Sequence, residues 1–172
     1  MARDRRPLFF AVLILGLVAD QALKSWVRDH LLVNQSPGYP IPGVFELTLT
    51  YNKGIAFGML QGHGQLMTPI ALLIAGIAIW HVLKHPHETR WTMTLAGLMA
   101  CGALGNLYDR LRFGEVTDMF SFRLISFPVF NVADSCITIA TCMLIITWLR
   151  EPFQKDDGPT PHSPATEVKE AS

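Results

Sequence analysis

The chain has 172 residues, of which 50% are hydrophobic and only 16% are charged. This composition excludes an ordinary water-soluble globular domain and indicates a membrane protein. The 14 Lys and Arg residues balance the 14 Asp and Glu residues, so the net charge gives no electrostatic support to a nucleic-acid partner.

Four apolar runs predict transmembrane helices. A hydrocarbon core of about 30 Å requires about 20 helical residues, so the shorter runs must extend slightly at their ends. The first run follows three arginines and lacks a small-residue cleavage site, and we interpret it as a retained anchor rather than a cleaved signal sequence. The predicted spans are 7–27, 66–83, 91–107 and 132–149.

The distribution of Lys and Arg predicts the orientation. With the N-terminus in the cytoplasm, the inner segments carry eight of these residues and the outer loops, 28–65 and 108–131, carry five. The positive-inside rule therefore predicts that both termini are cytoplasmic. Residues 1–150 are expected to form a single integral-membrane domain. The tail 151–172 mixes prolines with charges, which predicts disorder.

The first outer loop is expected to contain a small β-sheet. Residues 44–51, VFELTLTY, alternate apolar and polar residues and predict a strand. Residues 52–62 combine turn residues with an apolar patch, and we hypothesise that they form a lid. In the second loop, residues 120–130, FSFRLISFPVF, are apolar enough to lie in the membrane interface.

Unusual polar residues cluster at one depth. In the predicted orientation they all lie at the outer ends of the spans or in the loop beside them. Asp20 and Lys24 are four residues apart on one helical face and can form an ion pair. The polar residues of this layer are Asp20, Lys24, Asn106, Asp109, Arg110, Asp118, Asn131 and Asp134.

Purely structural explanations exist for several of these residues. Asp20 and Lys24 can be an ion pair without chemistry, and the group from Asn106 to Arg110 can cap a helix and extend towards the interface. Asn131 is a suitable N-cap for the fourth span. Asp134 then lies at the third helical position, where the helix dipole favours an anion.

Asp118 and Asp134 also form a candidate catalytic pair. Two carboxyl groups close together at a partly dehydrated site share a proton, because both cannot ionise cheaply. The ionised group can then deprotonate a water while the neutral one polarises a carbonyl, as in aspartic proteases. Motifs of serine hydrolases, zinc peptidases and phosphate-binding loops do not occur in the sequence.

Small residues in the third span predict close helix packing. Ala96, Gly97 and Cys101 each precede another small residue by four positions, a spacing that lets membrane helices approach. We interpret all three cysteines, Cys101, Cys136 and Cys142, as buried apolar residues. His63 and His81 are interpreted as surface or interface residues rather than ligands.

Five ordered motifs resemble the bacterial lipoprotein signal peptidase family, signal peptidase II, over about residues 12–149. Any one of them alone would be a weak signal, but their order across four spans is specific. They are DQALK with Asp20 and Lys24, NKGIAF with Asn52, Gly54, Ala56 and Phe57, GALGNLYDR with Gly102, Gly105, Asn106, Asp109 and Arg110, GEVTD with Gly114, Val116 and Asp118, and FNVAD with Phe130, Asn131, Ala133 and Asp134.

The resemblance implies an aspartic endopeptidase of the bacterial inner membrane with its site near the extracytoplasmic face. Its substrate would be a prolipoprotein with a diacylglyceryl group on a cysteine, cut just before that cysteine. The resemblance assigns catalysis to Asp118 and Asp134. It assigns substrate binding or ordering of the site to Asn52, Gly54, Asn106, Arg110, Asn131 and Ala133, and support to Asp20, Lys24, Asp109 and Phe57.

The same resemblance implies that the protein uses no metal or organic cofactor and that it is surrounded by membrane lipid. Four short helices with a tightly packed seam suggest a monomer. Two other classes of function make different predictions. A small transporter predicts polar groups in the cytoplasmic halves of the spans, where Thr141 is the only polar side chain in the runs 8–18, 74–80, 96–99 and 139–146. A non-enzymatic scaffold predicts that Asp118→Asn and Asp134→Asn leave the function intact.

Overall fold

The protein is described from a computed structural model that covers residues 3–54, 62 and 64–150. Four α-helices and a three-stranded sheet make up this part of the chain. The helices are α1 (Arg6–His30), α2 (Met67–Lys84), α3 (Arg90–Phe113) and α4 (Val132–Arg150), and the strands are β1 (Pro40–Ile41), β2 (Phe45–Asn52) and β3 (Val116–Phe122).

Three helical segments are long and apolar enough to cross a membrane. They are Arg6–His30, Gly64–Lys84 and Val132–Arg150, with mean hydropathies of 1.7, 2.1 and 1.8. Helix α3 is not among them, since its small and polar residues lower its mean hydropathy. Instead it occupies the centre of the bundle, where α1, α2 and α4 each pack against it.

The small residues of α3 permit this central position. A Cβ atom added at Gly97 would lie 2.9 Å from the Val12 side chain, and one at Gly105 would lie 2.7 Å from Asp20 Oδ2. A Cβ atom at Gly102 would overlap the carbonyl oxygen of Ala133. The predicted close packing along this helix is therefore confirmed.

The sheet is antiparallel, and its strands lie in the order β1–β2–β3. The strand predicted at residues 44–51 is confirmed as β2. Its register pairs Thr50 with Asp118, which places Asp118 in the middle of β3. Phe130 pairs with Phe120 through backbone hydrogen bonds of 2.8 and 3.1 Å. This bridge brings the start of α4 against β3.

Helix α3 continues past the predicted span end at residue 107. It ends where Gly114 adopts a left-handed conformation with φ 80° and donates its N–H to the Arg110 carbonyl at 3.0 Å. A glycine can adopt this conformation without strain, and it commonly ends helices. The hydropathy of the sequence falls at the first charged residues, whereas the helix continues to its capping glycine.

The outward faces of the apolar helices carry large exposed side chains, as expected for helices that contact lipid. Leu15 and Trp148 are each 69% exposed. Cys101 and Cys136 are buried as predicted, but the prediction was wrong for Cys142, which is exposed. Hydropathy cannot separate an apolar residue that packs inside a bundle from one that faces lipid.

Candidate active site

Asp118 and Asp134, the aspartate pair, lie at the sheet end of the helix bundle. Asp118 is buried in β3, and Asp134 is half-buried in the first turn of α4. Asn131 contacts both. Its Nδ2 donates to Asp118 Oδ1 at 2.6 Å, and its backbone N–H donates to Asp134 Oδ2 at 3.3 Å. The two elements therefore meet at one residue.

Asn131 also caps α4, as predicted. Its Oδ1 accepts the backbone N–H of Asp134 at 2.8 Å. Together with the return bond from the Asn131 N–H to the Asp134 carboxylate, this forms a reciprocal capping arrangement. The structural explanation for Asn131 and Asp134 is thus correct. It does not involve Asn131 Nδ2 or Asp134 Oδ1, which make other contacts.

Two further side-chain amides donate to the pair. Asn106 Nδ2 donates to Asp134 Oδ1 at 2.7 Å, and Asn52 Nδ2 donates to Asp118 Oδ2 at 3.3 Å. Asn52 is paired with Val116 in the sheet, so it is the diagonal neighbour of Asp118 across the strands. The two carboxylates therefore accept hydrogen bonds from three neutral side-chain amides.

The pKa of Asp118 is raised from its usual value of 3.8 to about 7. Burial is the main cause, and the nearby Asp134 carboxylate raises it further. The amides of Asn131 and Asn52 oppose the shift. The aspartate pair can consequently hold a proton near neutral pH, as acid–base chemistry at a shared site requires.

Asp20 and Asp109, the supporting pair, hold the backbone next to the aspartate pair. Asp109 Oδ2 accepts the N–H of Thr117 at 2.9 Å, and Asp20 Oδ1 accepts the N–H of Ala133 at 2.9 Å. Each of these N–H groups belongs to the residue just before Asp118 or Asp134. The supporting pair therefore fixes the two elements that carry the aspartate pair.

Lys24 joins the supporting pair to the site. Its Nζ lies 2.9 Å from Asp20 Oδ2 and 3.4 Å from Asp109 Oδ2, and all three side chains are completely buried. The predicted Asp20–Lys24 ion pair is therefore confirmed. The same ammonium donates to Asn106 Oδ1 at 3.0 Å. Buried charges need such partners, because they have lost their hydration.

Gln21 and Arg28 also belong to this network, and the sequence analysis missed both. Gln21 Nε2 donates to Asp20 Oδ2 at 3.0 Å and to Asp109 Oδ1 at 3.3 Å. Arg28 donates to Thr117 Oγ1 at 2.9 Å. The available signal was position, since Gln21 follows Asp20 and Arg28 lies one helical turn beyond Lys24.

Arg110 is a buried cation with spare hydrogen-bonding capacity. Its Nη1 donates to the Asn106 carbonyl at 3.5 Å. Within the described part of the chain, its Nε has no hydrogen-bond partner. A buried guanidinium donor without a partner is costly, which makes this atom a candidate for contact with a bound peptide carbonyl.

The other predicted site residues lie as follows. Gly54 is buried, and its N–H donates to Asn52 Oδ1 at 2.9 Å. Ala133 is buried against α3 and is held by Asp20. Phe57, His63 and most of the hypothesised lid, 52–62, lie outside the described residues. His81 is partly exposed and lies 3.9 Å from Glu88. In the described ranges, no group of three His, Cys, Asp or Glu side chains could hold a metal ion.

Comparison with known proteins identifies the family. Residues 12–150 match the family described as Signal peptidase (SPase) II. The chain belongs to this family. It is 38% identical over 148 residues to the lipoprotein signal peptidase of Streptococcus agalactiae, covering 86% of this chain and 96% of the relative. The corresponding protein of Gloeobacter violaceus is 39% identical over 165 residues, covering 94% and 91%.

Solved structures agree with this result. A bacterial membrane enzyme structure determined by the in meso method at 2.3 Å matches with a TM-score of 0.83 and 26% identity, covering 93% of this chain and 99% of that one. A second, at 1.9 Å, matches with a TM-score of 0.78 and 27% identity, covering 88% and 99%. The signal peptidase II family and the three apolar helical segments together make the chain a multi-pass membrane peptidase.

Proposed function

We propose that this member of the signal peptidase II family is an aspartic endopeptidase that acts on prolipoproteins. The substrate carries a diacylglyceryl group on a cysteine, and the enzyme cuts the peptide bond just before that cysteine. Relatives named lipoprotein signal peptidase support the substrate class. The aspartate pair, with Asn131 contacting both carboxylates, is the observation that carries the mechanism.

The reaction follows from one shared proton. The ionised carboxylate of the pair takes a proton from a water, whose oxygen forms a bond to the scissile carbonyl carbon. The neutral carboxyl group donates to the carbonyl oxygen as negative charge develops there. In the second step the leaving nitrogen takes the proton that the carboxylate removed from the water, the C–N bond breaks, and the water oxygen stays on the released signal peptide.

The surroundings of the pair support binding of an extended peptide. Arg110 Nε has no partner among the described residues, and it is our candidate donor to a substrate carbonyl. Asn52 lies at the end of β2 and contacts Asp118, so it orders the site where β2 ends. We assign these two residues to substrate positioning and the supporting pair to the fold.

We further propose the membrane arrangement. All four helices cross the bacterial inner membrane, both termini are cytoplasmic, and the sheet lies at the extracytoplasmic face as part of a single domain, 1–150. The exposed side chains of Leu124 and Ile125 support contact of the second outer loop with the interface. A lipid-bearing substrate stays in the bilayer, so its scissile bond lies at the depth of the aspartate pair. We expect the enzyme to act as a monomer.

Cleavage of a purified, lipidated prolipoprotein tests the proposal. Asp118→Asn and Asp134→Asn should each lower kcat by about 10²–10⁴-fold or more, because each removes one partner of the proton transfer. Asp29→Asn is the matched control, since Asp29 is exposed on α1 and its replacement should leave kcat unchanged. Full activity of either pair variant, in folded protein, would rule out the aspartic mechanism.

A further inference from the structure

The side-chain amides around the aspartate pair must each present nitrogen rather than oxygen to a carboxylate. An amide oxygen turned towards an ionised carboxylate would place two acceptors together. Asn52, Asn106 and Asn131 all donate to the pair through Nδ2. The orientation of each amide is therefore part of the machinery, and each needs a contact that fixes it.

Backbone N–H groups fix two of the three amides. Asn52 Oδ1 accepts the N–H of Gly54 at 2.9 Å, and Asn131 Oδ1 accepts the N–H of Asp134 at 2.8 Å. A backbone N–H can only donate, so each amide must direct its oxygen there. The Nδ2 groups then point to the carboxylates without the help of another side chain.

Asn106 is fixed differently. Its Oδ1 accepts from Lys24 Nζ at 3.0 Å and from Asn131 Nδ2 at 3.1 Å. A lysine ammonium has three donors and no acceptor, so it selects the amide oxygen unambiguously. The Asn106 Nδ2 is thereby directed to Asp134 Oδ1 at 2.7 Å.

We infer that Lys24 is a positioning residue for peptide cleavage, because it orients the Asn106 amide that donates to Asp134. This inference rests on the proposed function. Lys24 acts through Asn106, with its own ammonium held between the carboxylates of Asp20 and Asp109. Those two carboxylates keep the buried ammonium in place. The ammonium in turn connects the supporting pair to Asp134 through Asn106.

Two replacements separate amide orientation from charge. Lys24→Met removes both the donor and the charge, whereas Lys24→Gln removes the charge and keeps an N–H donor for Asn106 Oδ1. For folded enzyme, Lys24→Met should lower kcat about 100-fold, the loss typical of a misplaced catalytic group, with KM nearly unchanged. Lys24→Gln should lower kcat by less than about tenfold.

A double-mutant cycle with Asn106→Ala gives the decisive readout. If Lys24 acts through Asn106, adding Lys24→Met to Asn106→Ala should lower kcat by less than about twofold more. Gln21→Met is the matched control, because Gln21 contacts Asp20 and Asp109 on the same helix. Whatever loss Gln21→Met causes alone should persist in full on the Asn106→Ala background.

The inference would be overturned if the loss of kcat in the double variant equalled the product of the losses for Lys24→Met and Asn106→Ala. It would also be overturned if Lys24→Met and Lys24→Gln lowered kcat equally. If Lys24→Met does not fold, Lys24→Gln runs the same cycle, and its loss should vanish on the Asn106→Ala background. The proposed function fails separately, through full cleavage by Asp118→Asn or Asp134→Asn. Loss of cleavage in those variants combined with multiplying losses in the cycle would remove only the role of Lys24.

Discussion

Asp118 and Asp134 differ from Asp20 and Asp109 in their neighbours, although all four lie at the same end of the helix bundle. The supporting pair is joined by the Lys24 ammonium, and each member accepts a backbone N–H. The aspartate pair is surrounded mainly by amides. A buried ion pair keeps its stability only while both partners are present, whereas two buried carboxyl groups near each other favour a proton on one of them. The Lys24 ammonium contacts the supporting pair directly and is connected to the aspartate pair through Asn106.

The largest effect on stability is expected from the supporting pair. Asp20→Asn should lower the free energy of unfolding by about 3–5 kcal/mol, because it leaves the buried Lys24 undercompensated. Thermal unfolding in detergent measures this. Asp4→Asn is the control, since it removes an exposed ion pair with Arg6, and it should not change the transition. An unchanged transition for Asp20→Asn would contradict the assigned support role.

The pH dependence should report the aspartate pair. The pKa of Asp118 is raised to about 7, so kcat should fall as pH rises above about 7 and the shared proton is lost. The free energy of unfolding should also fall as pH rises. Because the pKa of Asp118 is higher in the folded state, its contribution to stability is fully present below its usual pKa of 3.8 and is lost as pH rises through about 7. The control variant Asp29→Asn should show the same fall of kcat above about pH 7. A flat profile from pH 6 to about 9 would contradict a shared proton.

A smaller effect is expected where the helices meet. Gly105→Ala adds a Cβ atom 2.7 Å from Asp20 Oδ2, and it should destabilise the fold by about 1–3 kcal/mol. Gly76→Ala is the matched control, because a Cβ atom there meets nothing within 4 Å; it should be neutral or slightly stabilising. Unfolding midpoints of the two variants check this, and equal midpoints would exclude a close approach at Gly105.

The smallest effect is expected at the sheet. The N–H of Gly43, with help from Ser36 and Arg123, lowers the pKa of Glu46 to about 2. Its contribution to stability is therefore present above its usual pKa of 4.5 and is lost as pH falls through about 2. Glu46→Gln should lower the unfolding midpoint slightly at neutral pH and leave kcat unchanged. A strong loss of cleavage would show that the sheet edge takes part in the reaction.

The sequence predicted those features that depend on local pattern. The alternation in 44–51 predicted β2, the Asn131 cap followed from its position before an apolar run, and the spacing of Asp20 and Lys24 predicted their ion pair. The glycine that ends α3 and the features that depend on distant contacts were missed. The end of α3 depends on Gly114, and the role of Gln21 depends on α3 lying against α1.

The sequence also could not predict which apolar side chains are buried inside the helix bundle. Cys136 and Cys142 lie in the same apolar run, but only Cys136 is buried. The small residues of α3 predicted close packing, but its position in the centre of the bundle is known only from its contacts with α1, α2 and α4. The contacts of Thr117 with Asp109 and Arg28 arise only once β3 lies against the end of α1. Long-range geometry of this kind leaves little local trace.

The most direct test of the division between the two pairs is a joint measurement of cleavage and thermal unfolding for the four single variants Asp118→Asn, Asp134→Asn, Asp20→Asn and Asp109→Asn. The account predicts that the first two lose cleavage while remaining folded and at least as stable as the wild type near neutral pH. The other two should lower the unfolding midpoint, because each leaves the buried Lys24 ammonium with one carboxylate fewer. Cleavage by a folded Asp118→Asn or Asp134→Asn enzyme at the wild-type rate would contradict the account.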